Sequence, residues 1–288
     1  MKDRLRIPLL LAPALVVVVV FFVGGLALAL LQSLGYMPII GRYEVSLDAY
    51  RAVLRRPDFY QSLLLTAWIA GVSTAVSTIL ALLCALALRR AFRGRRIATF
   101  IFQLNVPIPH VVGAVGVLFL FSQSGFLARL AYAGGLIREP ADFPALVFDP
   151  LALGIIFEYV WKATCFIGVI LLAVLLSLGE SYEDAARTLG AGRWQRFRFV
   201  ILPLLLPGIL SSSILVFAFT FGAFEVPLLL GQRFPSALPV LAYRSYTDVD
   251  LNARPEAMAM SVIIALIITI LVLGYMRTAR WAAGSGQS

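Results

Sequence analysis

Apolar residues run through this chain in long blocks. Charge-free stretches cover 7–41, 59–88, 97–128, 163–179, 199–224 and 257–276. About 20 apolar residues cross a hydrocarbon core about 30 Å thick, so each block is long enough or nearly so. The fourth reaches full length only by extending back through Glu158 and Lys162 to about Leu151. Backbone N–H and C=O groups in lipid must be paired within the segment or by its neighbours, so the blocks read as helices. The alternating ten-residue segments of a barrel are absent. The pattern predicts an all-α polytopic membrane protein, a single transmembrane domain over 1–288. Its six transmembrane helices are expected at about 8–34, 60–88, 97–122, 151–178, 204–231 and 256–276.

Composition agrees: 61% of the residues are hydrophobic and 14% charged, whereas soluble chains carry about 25% charged residues. Lys2, Arg4 and Arg6 ahead of an apolar run also describe a signal peptide, and Ala27-Leu28-Ala29 has a cleavage-like pattern. A secretory core is about 7–15 residues; this run is roughly twice that, which favours a retained anchor. Cys84 and Cys165 fall inside predicted helices and read as small apolar residues.

Charge changes the picture by giving the helices a direction. With the N-terminus inside and six crossings, the inner segments hold 14 of the 24 Lys and Arg against 4 acids. The outer segments (about 34–58, 129–149 and 232–256) hold 9 of each sign. The net charge of +9 therefore lies on one side, as the positive-inside rule requires, with both termini cytoplasmic. Arg89, Arg90, Arg93, Arg95 and Arg96 form a membrane-facing turn suited to anionic lipid heads. These arginines flank apolar helices and form no separate domain, which excludes nucleic-acid binding.

Between the blocks, Ser46 is placed to cap a short helix with Leu47, Tyr50, Val53 and Leu54 on one face, ending near Pro57. Pro107 and Pro109 remove two backbone donors from helix 3 and should kink it.

The most informative loop, about 179–203, separates helices 4 and 5. Glu180, Glu183 and Asp184 suit the positive end of a helix starting near Ser181. Ala185 and Ala186 let a partner backbone approach closely, and Gly190 or Gly192 can stop the helix. A second amphipathic helix is expected to carry Trp194, Phe197 and Val200 on one face, before Pro203 resets the chain into helix 5. The spacing Asp184-Ala185-Ala186, Gly190, Val200, Leu202-Pro203 resembles the EAA loop of the permease subunits of binding-protein-dependent ABC importers. Asp stands where that pattern has Glu, and neighbouring Glu183 offers a second carboxylate. The stretch Ser46-Leu-Asp-Ala-Tyr50 through Pro57, Phe59 and Thr66 resembles the family's entry to helix 2.

The resemblance implies a type I importer permease fold in the cytoplasmic (inner) membrane of a prokaryote. It implies a coupling helix at about Tyr182–Ala191, with ATPase-coupling residues Glu183, Asp184, Ala185, Ala186, Gly190, Ala191, Leu202 and Pro203. It also implies separate ATP-binding cassette subunits, a second permease subunit (sister or identical) and an extracytoplasmic solute-binding protein. The chain itself supplies no nucleotide site. A P-loop needs Gly-Lys-Ser/Thr, but the only lysines are Lys2 after Met1 and Lys162 after Trp161. No acid pair, nucleophile triad or metal cluster is visible, so neither enzymatic activity nor a cofactor of its own is expected.

Glu225, Asn105 and His110 are candidates for the solute pathway, because polar groups on transmembrane helices are costly and mark pathways or buried partners. Asn105 and His110 are expected first to make interhelical hydrogen bonds, and for Glu225 a structural pair or an interfacial position is equally open. Glu158 and Lys162, four apart with Glu first, are expected to form a structural ion pair. Phe217, Phe219, Phe221 and Phe224 read as packing and lipid contacts. The solute is expected to be small and polar. Phe224-Glu-Val-Pro-Leu-Leu-Leu-Gly231 with Leu238-Pro-Val-Leu241 leans toward the spermidine/putrescine-type branch, leaving inorganic anions, ferric iron, thiamine and phosphonates open. An ion-gradient-driven transporter or a channel is the alternative, and neither accounts for the loop.

Overall fold

The computed structural model describes residues 2–89, 93–179 and 181–284. Arg90 and Glu180, named above, lie outside them. Among the described residues the structure is helical without strands. Six stretches of the described residues are long and apolar enough to cross a bilayer: Leu10–Ser33, Pro57–Leu88, His110–Ala133, Leu153–Leu178, Arg193–Gly222 and Leu251–Arg277. The chain, expected as one domain, divides by its contacts into two compact units, Met1–Tyr60 with Leu241–Leu266 and Gln61–Val240 with Ile267–Ser288.

In the first unit, α1 (Lys2–Val18) passes through a π turn at Val19–Val23 into α2 (Gly24–Ser33). Its apolar side chains from Leu10 to Leu31 are largely exposed, as lipid-facing residues are. At its end Ser33 is buried, and its hydroxyl pairs with Tyr50 Oη at 2.8 Å. Tyr50 belongs to α3 (Asp48–Arg55), where Asp48 N–H donates to Ser46 Oγ at 3.4 Å. The buried face of α3 is Ala49 and Val53, while Leu47 and Leu54 stay exposed, so the expected apolar face is rotated. α3 ends at Arg55 as expected, with Arg56 extended ahead of Pro57, and Pro57 itself opens α4 (Pro57–Leu88), where a first-turn proline has no hydrogen bond to lose. Arg56 bridges Asp58 at 2.6 Å and Glu256 at 2.9 Å, tying the start of α4 to a later helix.

In the second unit, the predicted third helix is not continuous. It divides into α5 (Arg95–Leu104), a break at 105–109, α6 (His110–Phe121) and α7 (Phe126–Ala133). Pro107 and Pro109 cannot donate to the carbonyls four residues back, Gln103 and Asn105, and their rings would clash with them. The chain breaks where a kink was expected.

α8 (Leu153–Leu178) is the most deeply packed helix of this unit. Its start is fixed by buried Asp149, whose carboxylate accepts from the N–H groups of Leu151 at 3.0 Å and Leu153 at 2.8 Å. Ile155 and Tyr159 pack with Ala114 and Val117 of α6, while Ile167, Leu171 and Leu175 pack with Ala81 and Ala85 of α4. Two glycines permit the approach of neighbours. A Cβ on Gly113 would lie 2.8 Å from Glu158 Oε1, and one on Gly168 would lie 2.5 Å from Phe102 Cζ.

After α8 come α9 (Ser181–Thr188), α10 (Arg193–Arg196), a π turn at Phe197–Ile201 and α11 (Leu202–Gly222). The last three form one unbroken helical run, so Pro203 does not reset the chain. The π turn includes Phe199, the residue four before Pro203, and its wider bore makes room for the ring. The predicted helix over 204–231 instead stops at Gly222. Pro227 cannot donate to Ala223, Ala223 is extended, and a short α12 (Glu225–Leu230) follows. Then come α13 (Leu238–Tyr246) and α14 (Arg254–Gly284).

Candidate functional site

The loop after α8 folds as two helices joined by a tight stop. α9 ends in a left-handed glycine: Gly190 has φ +82°, its N–H donates to Arg187 O at 3.0 Å, and Ala191 N–H reaches back to Ala186 O at 3.0 Å. That is the Schellman arrangement, which a side chain at Gly190 would strain. Gly192 has φ −68° and caps α10, its N–H donating to Gln195 Oε1 at 2.8 Å. Of the two glycines that can stop the helix, Gly190 does so.

The two acids of α9 have different roles. Glu183 is mostly buried; it pairs with Arg89 at the end of α4 at 2.5 Å and approaches Arg196 of α10 at 3.8 Å. Asp184, in the Glu position of the EAA pattern, faces outward and pairs within its own helix with Arg187 at 3.1 Å. One carboxylate therefore fastens α9 to two other helices, which the sequence alone assigned to neither acid. On the other side Tyr182 (56% exposed), Ala185 and Leu189 (88% exposed) form an open strip, with Ala186 and Ala191 half-buried at its edge. Leu189 was not foreseen as part of this surface. Its i+7 spacing from Tyr182, with Ala185 between, was the available signal. Leu202 and Pro203 sit a turn or more into the next helical run, half-buried and exposed respectively.

A second polar centre lies inside the bilayer-crossing part of the second unit, where the α5–α6 break meets α8. The expected Glu158–Lys162 ion pair does not form among the described residues. Lys162 Nζ instead donates to Asn105 O at 2.8 Å, to Ile108 O, and more distantly to Val106 O at 3.5 Å. Of these oxygens only that of Asn105 belongs to a carbonyl that a proline (Pro109) cannot reach, and it also accepts from Ile108 N–H at 3.2 Å. The carbonyls exposed in the break take the ammonium that the carboxylate one turn away was expected to hold. Glu158 is fully buried and faces His110 Nδ1 at 3.1 and 3.3 Å from its two oxygens. Asn105 Nδ2 donates to Trp161 O at 3.0 Å and Cys165 Sγ at 3.4 Å. Asn105 and Lys162 thus stitch the break to α8.

Beside this network is a cavity of about 420 Å³ whose walls include His110, Tyr159, Lys162, Phe166, Phe219 and Thr220. Of the three residues proposed from sequence to line a pathway, only His110 lines this cavity; Asn105 is buried in the break, and Glu225 is half-buried at the start of α12. Phe219, read above as packing, stacks on His110 with ring centroids 4.8 Å apart. Tyr159 is 1% exposed, and its hydroxyl has no hydrogen-bond partner among the described residues. The cavity is walled by an imidazole and aromatic rings; the Lys162 ammonium on its wall is held by the carbonyls of the break, the Tyr159 hydroxyl is buried, and the lining residues include no carboxylate.

A family model described as "Binding-protein-dependent transport system inner membrane component" matches residues 77–281. The molybdenum transport system permease protein ModB of Mycobacterium tuberculosis is 29% identical over 245 residues, covering 83% of this chain and 87% of that one. The trehalose/maltose transport system permease protein MalF of Thermococcus litoralis is 26% identical over 275 residues, covering 92% and 91%. Among solved structures, a chain of a bacterial ABC transporter involved in alginate import superposes with a TM-score of 0.80 at 21% identity, covering 97% of this chain and 96% of that one. That likeness extends to the fold.

Proposed function

Because the chain belongs to the family of inner membrane components of binding-protein-dependent transport systems, we propose that it alternates between outward- and inward-facing states under the control of a separate ATPase docked on α9. It is a permease subunit of an ABC importer, not an enzyme. The observation that carries the mechanism is the two-sidedness of α9. Glu183 anchors its inner side to Arg89 and Arg196, and Tyr182, Ala185 and Leu189 leave its outer side open. A push on the open strip is then delivered to α4 and to the α10–α11 run instead of being lost in a loose loop. A ligand shifts a two-state equilibrium only by its difference in affinity for the two states. Nucleotide-dependent closure of paired ATPase subunits supplies that difference through α9, which faces the cytoplasm in this reading. The bilayer-crossing path lies between this chain and a second permease subunit, identical or sister, and an extracytoplasmic binding protein delivers solute.

For the solute, we place an inorganic oxyanion first. Lys162 and His110 line the intramembrane cavity, and the Lys162 charge favours an anion where the lining residues include no carboxylate. The molybdenum permease relative points the same way. A polyamine-like solute, favoured by the sequence over 224–241, is the second reading. Half-buried Glu225 at the start of α12 is the observation that favours it.

The test is co-reconstitution of the chain with its ATPase and binding protein in proteoliposomes. ATP-dependent uptake of molybdate or another oxyanion, absent with putrescine, supports the first reading; the reverse selectivity supports the second. Uptake that persists without the ATPase contradicts the mechanism.

A further inference from the structure

At the end of α8 that meets the loop there is a second cavity, of about 670 Å³, with a different chemistry. Its polar wall holds five arginines, Arg89, Arg95, Arg187, Arg193 and Arg196, against two carboxylates, Glu183 and Asp184: an excess of three positive charges. Its floor is apolar, with Leu175, Phe197 and Ile201. The carboxylates are already engaged. Glu183 is held by Arg89 and Arg196, and Asp184 by Arg187. Among the described residues, Arg95 and Arg193 have no acid partner, and the Nε of half-buried Arg196 has no hydrogen-bond partner. The cavity also sits where three spans end, at Leu88, Leu178 and Arg193. A guanidinium fork binds phosphate oxygens through paired N–H donors, and two such forks with an excess of positive charge suit a multiply charged oxyanion.

We infer that this cavity is a phosphate-group site, with Arg95 at the start of α5 and Arg193 at the start of α10 as its principal ligands and Arg196 Nε as a third donor. The phosphate is that of an anionic phospholipid headgroup or of a soluble phosphate; the apolar floor beside the arginines accommodates the glycerol and upper acyl carbons of the former. An occupied site bridges α5 to α10. It stiffens the platform on which Glu183 anchors α9. The inference does not depend on which solute is carried.

The experiment uses the full chain purified in mild detergent. Native mass spectrometry counts retained phosphatidylglycerol and phosphatidylcholine after exposure to an equal mixture. A parallel thermal-unfolding series compares sodium phosphate with sodium chloride at matched ionic strength. The variants are Arg95→Gln with Arg193→Gln, the charge-conserving Arg95→Lys with Arg193→Lys, and Arg138→Gln in the exposed 134–143 loop as a control for bulk charge. Near a membrane surface each basic residue contributes about fivefold in affinity for anionic lipid. The double glutamine variant should therefore lose phosphatidylglycerol preference by about 20-fold or more, the lysine variant by less, and the control not at all. Phosphate-specific stabilisation that the glutamine variant loses, without any lipid preference, assigns the site to a soluble phosphate. The inference is overturned if the wild-type chain shows neither preference, or if the glutamine variant keeps both. The lysine variant keeps the test decisive should the glutamine pair fail to fold.

Discussion

Lys162 Nζ donates to the main-chain oxygen of Asn105 at 2.8 Å, reaching from α8 to the carbonyl that Pro109 cannot satisfy. Ile108 N–H also reaches Asn105 O at 3.2 Å, and the ammonium's three N–H donors add pairing for the carbonyls of a helix broken inside a bilayer. Lys162→Met removes those donors and leaves carbonyls unpaired in a buried place, at a cost of about 1–3 kcal/mol. The expected result is a lower unfolding midpoint in detergent and lost uptake. Lys162→Gln, which keeps two donors, should lie between the two.

The approach of α6 to α8 depends on Gly113. A methyl group there meets Glu158 Oε1 at 2.8 Å and Trp161 Cζ3 at 3.2 Å, whereas one at Gly116 meets nothing within 4 Å. Gly113→Ala should destabilise by about 1–3 kcal/mol through overpacking, and it should disturb the His110–Glu158 contact. Gly116→Ala should be neutral or slightly stabilising, because alanine favours the helix more than glycine does. Unfolding of the two variants, measured side by side, checks this.

Glu183 and Arg89 should be energetically coupled, and Asp184 and Arg187 should not. The first pair is mostly buried and joins two helices; the second is exposed and lies within one turn of α9. A double-mutant cycle with alanine replacements should give about 1 kcal/mol or more for the first pair and about 0–0.5 kcal/mol for the second. The readout is unfolding of the purified chain. Equal couplings would remove the reason for treating Glu183 as the anchor.

Gly190 and Gly192 make opposite predictions although they are two residues apart. Gly190 holds φ +82°, and Gly192 holds φ −68°. A β-branched side chain in the left-handed region costs about 1–2 kcal/mol, so Gly190→Val should distort the end of α9 and abolish solute-stimulated ATP hydrolysis by the assembled transporter. Gly192→Ala should leave stimulation near normal. Membrane insertion, scored by protease protection, should be unchanged in both.

The six spans were legible because lipid demands long apolar runs, and that demand leaves its mark on every residue of a segment. The loop was legible because its small residues and left-handed glycine are local requirements. The interior of the second unit was not, and Lys162 shows why. Spacing along one helix correctly put Glu158 and Lys162 on a common face, but it could not reveal that a broken neighbour would present carbonyls to the amine. The proline pair was visible at 107 and 109, yet whether two prolines kink a helix or end it depends on what satisfies the freed carbonyls, and that partner lies 57 residues away. Asn105 makes the interhelical hydrogen bond its place in the pattern suggested, but its partner, Trp161 O, was not legible for the same reason. The halt at Gly222 follows from Pro227 by the same rule, and apolar composition concealed it.

The central claim, that α9 receives force from a separate ATPase at the inner surface, is tested most directly by thiol accessibility at Ala185→Cys. The variant would be placed in sealed membrane vesicles of known orientation and treated with a membrane-impermeant maleimide, with and without the ATPase subunit. Labelling from the cytoplasmic face alone, suppressed when the ATPase assembles, is the predicted result. Labelling from the opposite face, or labelling that the ATPase leaves undiminished, would contradict it.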